Sequence, residues 1–397
     1  MKKILLLIPS MAGVGGTERM VHGLSMLLAA PGCEIHQASF DAPGIPRHFD
    51  SATPFHTLGP VPRLPLPLRP LVYALSAMRL RRLKRGLGIE VTISNLWGAD
   101  LISALSGGRD RKIALCHINV IGNASNRLMV KLRPFVAAVY HRFERVVAVS
   151  ESLAEELKAL YRLPSSRITH IDNFVDRPEA VSRLPKDCVR RFVWCGRFSP
   201  EKNVDGLLHA WAAFAKQRPG VQLVLLGEGP LQADMRSLAG ALSLRAGIDP
   251  SDIGAQVVFA GKVSDPASFM LGARALLLSS HAEGLPMVLL EALSLGLPVL
   301  AADCQAGGVR RALQGHGTCC PERADAEFTV AGALLPVPLP AVPATLAVWG
   351  NILQHACEDE PQWVNWQRGS LDRASQFSSA AAREKWLNLI EFTGPHA

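Results

Sequence analysis

Short apolar runs alternate with segments of helical periodicity along the whole sequence. Runs of four to eight apolar residues bounded by turn residues are typical of buried strands, and their alternation with helices is typical of parallel sheets covered on both faces. We therefore predict an α/β protein, with helices over residues such as 17–28, 151–160, 204–217 and 286–295. The predicted strands span residues 4–8, 35–40, 91–94, 113–115, 146–149, 169–171, 192–195, 221–226, 257–260, 275–278 and 299–301.

The length of 397 residues exceeds the usual size of one hydrophobic core, so we expect two domains. A proline-containing break around residues 176–185 separates two sets of strands and helices. We place the first domain at residues 1–178 and the second at residues 179–377. Doubly wound sheets bind ligands beyond the carboxyl ends of their strands, so two such domains would form a cleft with the site between them.

The composition excludes a mainly disordered chain, because 48% of the residues are hydrophobic and 19% are charged. The eight cysteines form no C-x-x-C pair, which favours reduced cytosolic thiols over a disulfide framework or a zinc site. The apolar run at residues 4–8 is too short for a signal peptide. The uncharged stretch 331–353 contains four prolines, which would break too many backbone hydrogen bonds for a lipid-exposed helix.

A glycine-rich turn at residues 13–16 follows the first predicted strand and opens a helix. Glycines let a backbone approach an anion closely, and a helix start offers free N–H groups and partial positive charge. The turn lacks the last glycine of the pattern G-x-G-x-x-G, because Glu18 stands there, so an NAD-dependent oxidoreductase is disfavoured. Phosphate binding by Gly15 and Gly16 and mere tight packing both remain open.

Two further loops follow predicted strands in the second half. Arg197 and Lys202 lie on one short loop, where a guanidinium and an ammonium could clamp a diphosphate. A solvated basic loop would explain the same pair. The turn at Gly227 and Glu228 is by itself only a loop signal.

The segment from Glu283 to Glu291 carries the strongest signal. Gly284 supplies a turn, Pro286 suits the first position of a helix, and the N–H groups of the first helical turn would face an anion. One carboxylate then lies near the helix start and the other lies one turn further along. The alternative places Glu283 as a partner of the helix dipole and Glu291 on the surface.

The E-x7-E segment, the pattern G-R-x-x-x-E-K at residues 196–202 and the glycine-rich first loop together resemble the family-4 glycosyltransferases of the GT-B fold. The resemblance covers nearly the whole chain. It implies two Rossmann-like domains facing across a cleft, with a carboxyl-terminal helix within residues 378–397 that packs back on the first domain. It also implies a retaining glycosyltransferase.

The resemblance implies a role for each matching residue. Glu283 and His117 would be catalytic residues near the transferred sugar or the leaving phosphate. The donor diphosphate would be bound by Arg197, Lys202 and the backbone at Gly15, Gly16, Leu285 and Met287, and the ribose and base by Glu291, Val263, Gly227 and Glu228. Because these cations and a helix start can replace a divalent ion, we expect neither a metal nor a cofactor.

We expect transfer of a hexose or N-acetylhexosamine from a nucleotide-sugar, a UDP-sugar in preference to a GDP-sugar, to a lipid-linked glycan. The expected process is the synthesis of lipopolysaccharide, O-antigen or capsule. A non-catalytic nucleotide-sugar-binding subunit and another GT-B enzyme, such as a sugar-nucleotide epimerase, are the alternatives.

Basic residues concentrate in the first half of the chain. Residues 1–180 hold 23 Lys and Arg against 14 Asp and Glu, whereas the remainder is close to neutral. The acid-free segment 61–88 and a predicted basic helix over residues 127–145 interleave cations with apolar residues, which suits an anionic membrane surface better than nucleic acid or a merely solvated face. We predict a cytoplasmic protein, peripheral on the inner face of the membrane, with Arg79, Arg81, Arg82, Lys84 and Arg85 facing the lipid.

Overall fold

A computed structural model describes residues 1–29, 32–49, 52–62, 65, 69–117, 127–176 and 191–391. Within these ranges the chain forms two compact units. The first unit takes the described residues up to Phe174 together with residues 379–391, and the second takes residues 175, 176 and 191–378. Each unit is built on a largely parallel sheet with helices, so the predicted α/β fold class with two Rossmann-like domains is confirmed.

The first unit contains a seven-stranded sheet. Its elements in chain order are β1 (Lys2–Ile8), α1 (Gly16–Leu28), β2 (Cys33–Ser39), β3 (Phe55–Thr57), α2 (Arg69–Leu87), β4 (Val91–Asn95), α3 (Trp97–Leu105), β5 (Arg111–Cys116), α4 (Arg127–Lys131), α5 (Arg133–Tyr140), β6 (Arg145–Ala148), α6 (Glu151–Tyr161) and β7 (Ile168–His170). The strands lie in the order β3-β2-β1-β4-β5-β6-β7, and every neighbouring pair is parallel. The strand order therefore reverses between β1 and β4, where doubly wound folds bind ligands.

The second unit contains an eight-stranded sheet. Its elements are β8 (Arg191–Cys195), α7 (Val204–Gln217), β9 (Gln222–Leu226), α8 (Gln232–Ala241), β10 (Ala246–Gly247), β11 (Val257–Gly261), α9 (Pro266–Met270), β12 (Ala275–Leu278), α10 (Met287–Ser294), β13 (Val299–Ala302), α11 (Gly308–Leu313), β14 (Glu327–Thr329), β15 (Gly332–Leu335), α12 (Pro343–Glu358) and α13 (Glu360–Ser375). The order is β10-β11-β9-β8-β12-β13-β15-β14. All neighbouring strands are parallel except β14, which is antiparallel to β15.

The last helix, α14 (Ser379–Glu391), belongs to the first unit and packs on α1. Its Trp386 and Ile390 side chains are buried. The Lys2 ammonium donates to the carbonyl oxygen of Ile390 at 3.0 Å, and the Arg111 guanidinium donates to that of Leu389 at 3.1 Å. Because the last carbonyls of a helix have no intrahelical donor, these two cations fix the end of α14.

The predicted strands are all present, because strands buried on both faces of a parallel sheet read as uninterrupted apolar runs. The short strands β3, β10, β14 and β15 were not predicted. The single basic helix predicted over residues 127–145 is wrong, since the structure has α4, α5 and the start of β6 there. Pro134 has no N–H to donate to the carbonyl of Val130, so α4 cannot continue into α5.

Among the described helices, none combines the length and the apolar character needed to cross a bilayer. The uncharged stretch 331–353 instead contains β15, a loop and the first part of α12.

Candidate functional site

Four neighbouring strands of the second unit end at the same edge of its sheet. The strands β11, β9, β8 and β12 are adjacent and parallel, so the loops that follow them meet at their carboxyl ends. We call this the donor edge. These loops carry the predicted residues Val263, Gly227, Glu228, Arg197, Lys202 and Glu283.

Glycines allow the first loops of the donor edge to interlock. A Cβ at Gly227, whose φ is 131°, would stand 1.9 Å from the carbonyl oxygen of Gly196. A Cβ at Gly229 would stand 2.5 Å from the backbone nitrogen of Phe198, and that nitrogen donates to the carbonyl of Glu228 at 3.1 Å. No larger residue fits at Gly227 or Gly229 without moving the loop that carries Arg197, so these turns position the cationic loop.

Lys202 and Glu283 form an ion pair at the donor edge. The Lys202 Nζ donates to Glu283 Oε1 at 2.6 Å, and the hydroxyl of Ser280 donates to the same oxygen at 2.6 Å. The Lys202 and Glu283 side chains are 24% and 10% exposed. Burial by itself would lower the pKa of Lys202, but the charge and the hydrogen bond of Glu283 outweigh burial and raise that pKa. Lys202 therefore stays an ammonium at neutral pH, beside the nearly buried Glu283 side chain.

The backbone around Lys202 is held by residues that the sequence did not reveal. Pro200–Lys202 form a single 3₁₀ turn, and Asn203 follows it with a φ of 49°. The Asn203 side-chain amide donates to the carbonyls of Ser279 and Pro338 at 3.1 and 3.0 Å, and the Ser279 hydroxyl donates to the carbonyl of Lys202 at 2.9 Å. The sequence did offer one signal for this turn, an asparagine directly after a short basic loop. Asparagine tolerates the left-handed backbone region better than most residues, so it indicates a tight turn there.

The start of α10 offers N–H groups at the end of the same loop as Glu283. Pro286 is the N-cap rather than the first helical residue, and no side chain caps the helix. The N–H groups of Leu289 and Leu290 turn back to the carbonyl of Pro286, at 3.1 and 3.4 Å. Those of Met287 and Val288 precede any intrahelical acceptor, so they are suited to an anion.

The remaining predicted residues of the second unit differ in exposure. Arg197 and Glu228 are exposed, and Val263, Met287 and Glu291 are half-buried. Leu285 is buried, so a contact with a donor would come from its backbone.

The helix α11 rests directly on the turn between Glu283 and α10. A Cβ at Gly308 would stand 1.4 Å from the carbonyl oxygen of Gly284 and 3.2 Å from the Cα of Leu285. Only a glycine at position 308 lets these two backbones come so close.

The predicted residues Gly15, Gly16 and His117 lie in the first unit, at the carboxyl ends of β1 and β5. Gly15 is the N-cap of α1. The side chain of Glu18 lies over the glycine-rich turn, since a Cβ at Gly13 would stand 2.2 Å from its Oε1. A carboxylate therefore already lies beside the start of α1, where the partial positive charge of the helix stabilises it.

His117 is fixed by an asparagine that bridges three strand ends. Its Nε2 lies 2.9 Å from Asn95 Oδ1, and Asn95 Nδ2 donates to the carbonyl of Leu7 at 3.2 Å. Burial lowers the pKa of His117 to about 4, so the ring is neutral at pH 7. Because Asn95 presents its oxygen, Nε2 carries the proton and Nδ1 is left as an acceptor.

The residues predicted to face the membrane divide into two groups. Arg79, Arg81, Arg82 and Arg85 are exposed on α2. The prediction for Lys84 is wrong, because its side chain is buried and Nζ lies 2.8 and 2.9 Å from the two carboxylate oxygens of Asp110.

Two further hydrogen bonds satisfy the buried ammonium of Lys84. Its Nζ donates to the hydroxyl of Ser106 at 2.7 Å and to the carbonyl of Gly107 at 2.9 Å. Burial lowers the pKa of Lys84 to about 8, although Asp110 opposes the change. This ammonium is a structural cation of the first unit.

Comparison with known families gives two matches that follow each other along the chain. Residues 14–178 match Glycosyltransferase Family 4, and residues 189–334 match Glycosyl transferases group 1. The first match ends close to the predicted boundary at residue 178, and the second includes Arg197, Lys202, Glu283 and Glu291.

Two curated relatives cover most of the chain. The amylovoran biosynthesis glycosyltransferase AmsD of Erwinia amylovora is 25% identical over 320 residues, which are 77% of this chain and 82% of AmsD. The N-acetylgalactosamine-N,N'-diacetylbacillosaminyl-diphospho-undecaprenol 4-alpha-N-acetylgalactosaminyltransferase of Campylobacter jejuni is 23% identical over 324 residues, with coverage of 77% and 82%.

A solved structure shares the fold over nearly its whole length. Anabaena HepE in complex with UDP and glucose superposes with a TM-score of 0.72 at 18% identity, covering 98% of this chain and 99% of HepE. The two successive family matches and this fold together support a glycosyltransferase of the group 1/family 4 type with the GT-B fold.

Proposed function

We propose that this chain transfers a hexose or N-acetylhexosamine, with retention of configuration, from a UDP-sugar to a lipid-linked glycan in bacterial cell-surface polysaccharide synthesis. The observation that carries the proposal is the donor edge, where Lys202 pairs with the nearly buried Glu283, and where Arg197 and the uncapped start of α10 lie on the same two loops, after the neighbouring strands β8 and β12. The Campylobacter relative is named for a diphospho-undecaprenol acceptor, AmsD for amylovoran synthesis, and HepE holds UDP and glucose. These names support the donor and acceptor classes.

In this proposal the donor edge stabilises the leaving diphosphate. As the bond between the sugar C1 and the β-phosphate oxygen breaks, negative charge grows on the diphosphate. Lys202 and the N–H groups at the start of α10 are held in place before the reaction, so they would stabilise that charge without reorganising, and the exposed Arg197 would add a second cation from the same loop as Lys202. Because these groups would offset the charge on the diphosphate, we propose that the reaction needs no metal ion.

The carboxylates and the histidine contact the rest of the donor. Glu283 would accept hydrogen bonds from hydroxyls of the transferred sugar and would orient Lys202 toward the diphosphate. Glu291 would bind the ribose diol, and Val263 with the turn at Gly227 and Glu228 would meet the base. The neutral His117 would accept a hydrogen bond from a sugar hydroxyl at Nδ1, with no transfer of the proton. The acceptor hydroxyl would attack C1 from the face that the diphosphate leaves, and the diphosphate would take its proton.

Replacement of Lys202 by alanine is expected to weaken UDP binding by about 1.5–3 kcal/mol, or roughly 10- to 150-fold, because a charge-assisted contact to the diphosphate is lost. Isothermal titration calorimetry with UDP measures the change. Lys216→Ala removes an exposed lysine from α7 of the same unit and serves as the matched control. Unchanged UDP affinity in Lys202→Ala would exclude Lys202 from the donor site.

The exposed face of α2 supports the membrane-associated acceptor. Leu71, Leu75 and Met78 are exposed apolar residues that precede the exposed arginines on the same helix. Apolar side chains beside cations suit insertion at an anionic lipid surface.

Charge reversal of Arg79, Arg81 and Arg82 to glutamate is expected to abolish co-sedimentation with anionic vesicles, since each cation near the surface contributes about 1 kcal/mol. Binding of the unchanged chain should weaken with added salt. The matched control reverses three exposed cations elsewhere, Lys216, Arg245 and Arg383. Equal co-sedimentation of the two triple variants would refute a role for α2.

A further inference from the structure

A cavity of about 550 Å³ opens in the first unit, between the end of α2 and the turn that precedes β5. It lies where β4 and β5 begin, whereas His117 follows the carboxyl end of β5. Arg81, Arg85 and Arg109 line it, together with Lys84, Gly108 and Asp110. This cavity is separate from every residue assigned to glycosyl transfer above.

The carboxylate in this cavity is already neutralised. Asp110 is paired with the buried Lys84, and it also accepts a hydrogen bond from the Thr92 hydroxyl at 2.7 Å. Lys112 is a second cation near Asp110, at 3.4 Å. The negative charge of Asp110 is therefore balanced by Lys84 and Lys112, so it does not offset the arginines around the opening.

The three arginines have no acidic partner within the described ranges of the chain. The ion pairs there do not include Arg81, Arg85 or Arg109, and all three side chains are exposed. Three permanent positive charges thus surround a concave surface whose buried ion pair is neutral. Such a surface attracts anions, because guanidinium groups keep their charge at any physiological pH.

Glycines shape the wall of the cavity. Gly107 and Gly108 have φ values of 60° and 106°, in the left-handed region. A Cβ at Gly107 would lie 3.8 Å from Arg81 Nη1, and a Cβ at Gly108 would stand 2.6 Å from Asp110 Oδ1. The turn that precedes Arg109 therefore packs closely against Lys84 and Asp110. Arg109 consequently lines the same cavity as Arg81 and Arg85.

We propose that Arg81, Arg85 and Arg109 form a binding site for a phosphate ester. A guanidinium fork matches two phosphate oxygens at once, and several forks around one cavity give selectivity for phosphate over a monovalent anion. The phosphate comes either from a soluble phosphorylated compound or from the headgroup of an anionic lipid. The proposal does not depend on the donor edge or on the reaction assigned to it.

Titration with inorganic pyrophosphate and binding to vesicles test the site. The pyrophosphate titration uses the full chain carrying Arg197→Gln and Lys202→Ala, so that any binding at the donor edge is removed. Adding Arg85→Gln and Arg109→Gln is expected to weaken pyrophosphate binding about 100-fold, at about tenfold for each charge-assisted contact. The control adds Arg162→Gln and Arg383→Gln, which remove two exposed arginines of the same unit that neither line the cavity nor lie on α2.

The two probes separate the two sources of phosphate. The chain with Arg85→Gln and Arg109→Gln is the cavity variant. Loss of pyrophosphate binding in the cavity variant alone supports a site for soluble phosphate esters. If pyrophosphate does not bind the unaltered cavity, vesicles of phosphatidylglycerol are the second probe. A headgroup site is supported if the cavity variant loses more vesicle binding than the control does. Equal behaviour of the two variants with both probes would overturn the proposal and leave only diffuse surface charge. Equal thermal melting of the two variants shows that the fold is kept.

Discussion

Replacement of Glu283 by glutamine is expected to reduce turnover by about 10²–10³-fold, the effect typical of losing one fixed polar group from a transition-state site. The substitution keeps the size of the side chain and removes its charge. Glutamine cannot pair with the Lys202 ammonium, which Glu283 contacts at 2.6 Å. The variant keeps one acceptor oxygen but loses the negative charge and the second carboxylate oxygen, so it holds both the sugar hydroxyls and Lys202 more weakly.

Steady-state kinetics with the cognate donor, or donor hydrolysis in the absence of acceptor, measures this loss. The fall should appear in kcat, with UDP affinity changing much less than in Lys202→Ala. Glu322→Gln, an exposed position in the same unit, is the control for loss of a carboxylate. A normal rate in Glu283→Gln, with melting unchanged, would remove Glu283 from the site.

The Lys84→Ala variant is expected to lose about 3–5 kcal/mol of folding free energy, because the buried Asp110 would lose its close counter-ion and keep only the longer contact to Lys112 at 3.4 Å. Thermal unfolding of the first unit should then occur about 10 °C lower. The adjacent Arg82→Ala changes an exposed arginine and should stay within about 0.5 kcal/mol of the unchanged chain.

A second substitution distinguishes a buried ion pair from a simple loss of packing. Asp110→Asn in the Lys84→Ala chain removes the unpaired charge and should restore part of the stability. If Lys84→Ala melts like Arg82→Ala, the ammonium faces solvent and the buried contacts of Lys84 do not exist.

Most of the fold was predictable because the central strands of each sheet are buried on both faces and read as apolar runs, whereas the short strands β3, β10, β14 and β15 were not predicted. Lys84 shows where pattern reading failed. In a segment of six cations on one helix, Lys84 looks like its neighbours, yet it lies four residues after Leu80 and eight after Ser76, on the buried face of α2. Helical periodicity therefore indicated that Lys84 is buried. It did not indicate the partner of Lys84, because Asp110 comes 26 residues later and no local pattern joins the two residues.

The candidate site was predicted as a set of residues and not as a set of contacts. Lys202 and Glu283 were both identified, but they are separated by 81 residues, and their ion pair follows from β8 and β12 being neighbours in the sheet. The strand order depends on packing of the whole unit. Ser280, which shares Glu283 Oε1 with Lys202, gave no signal at all because isolated serines are common in loops.

The contact between Gly308 and the carbonyl of Gly284 constrains any exchange of the turn that carries Glu283. A segment exchange that imports residues 283–287 from a relative would bring a turn shaped by that relative's own neighbouring helix. Unless the chimera retains glycine at 308, or imports the α11 start along with the turn, the two backbones collide. Recombination breakpoints in this enzyme class therefore belong before Glu283 and after α11, so that both pieces are inherited as one block.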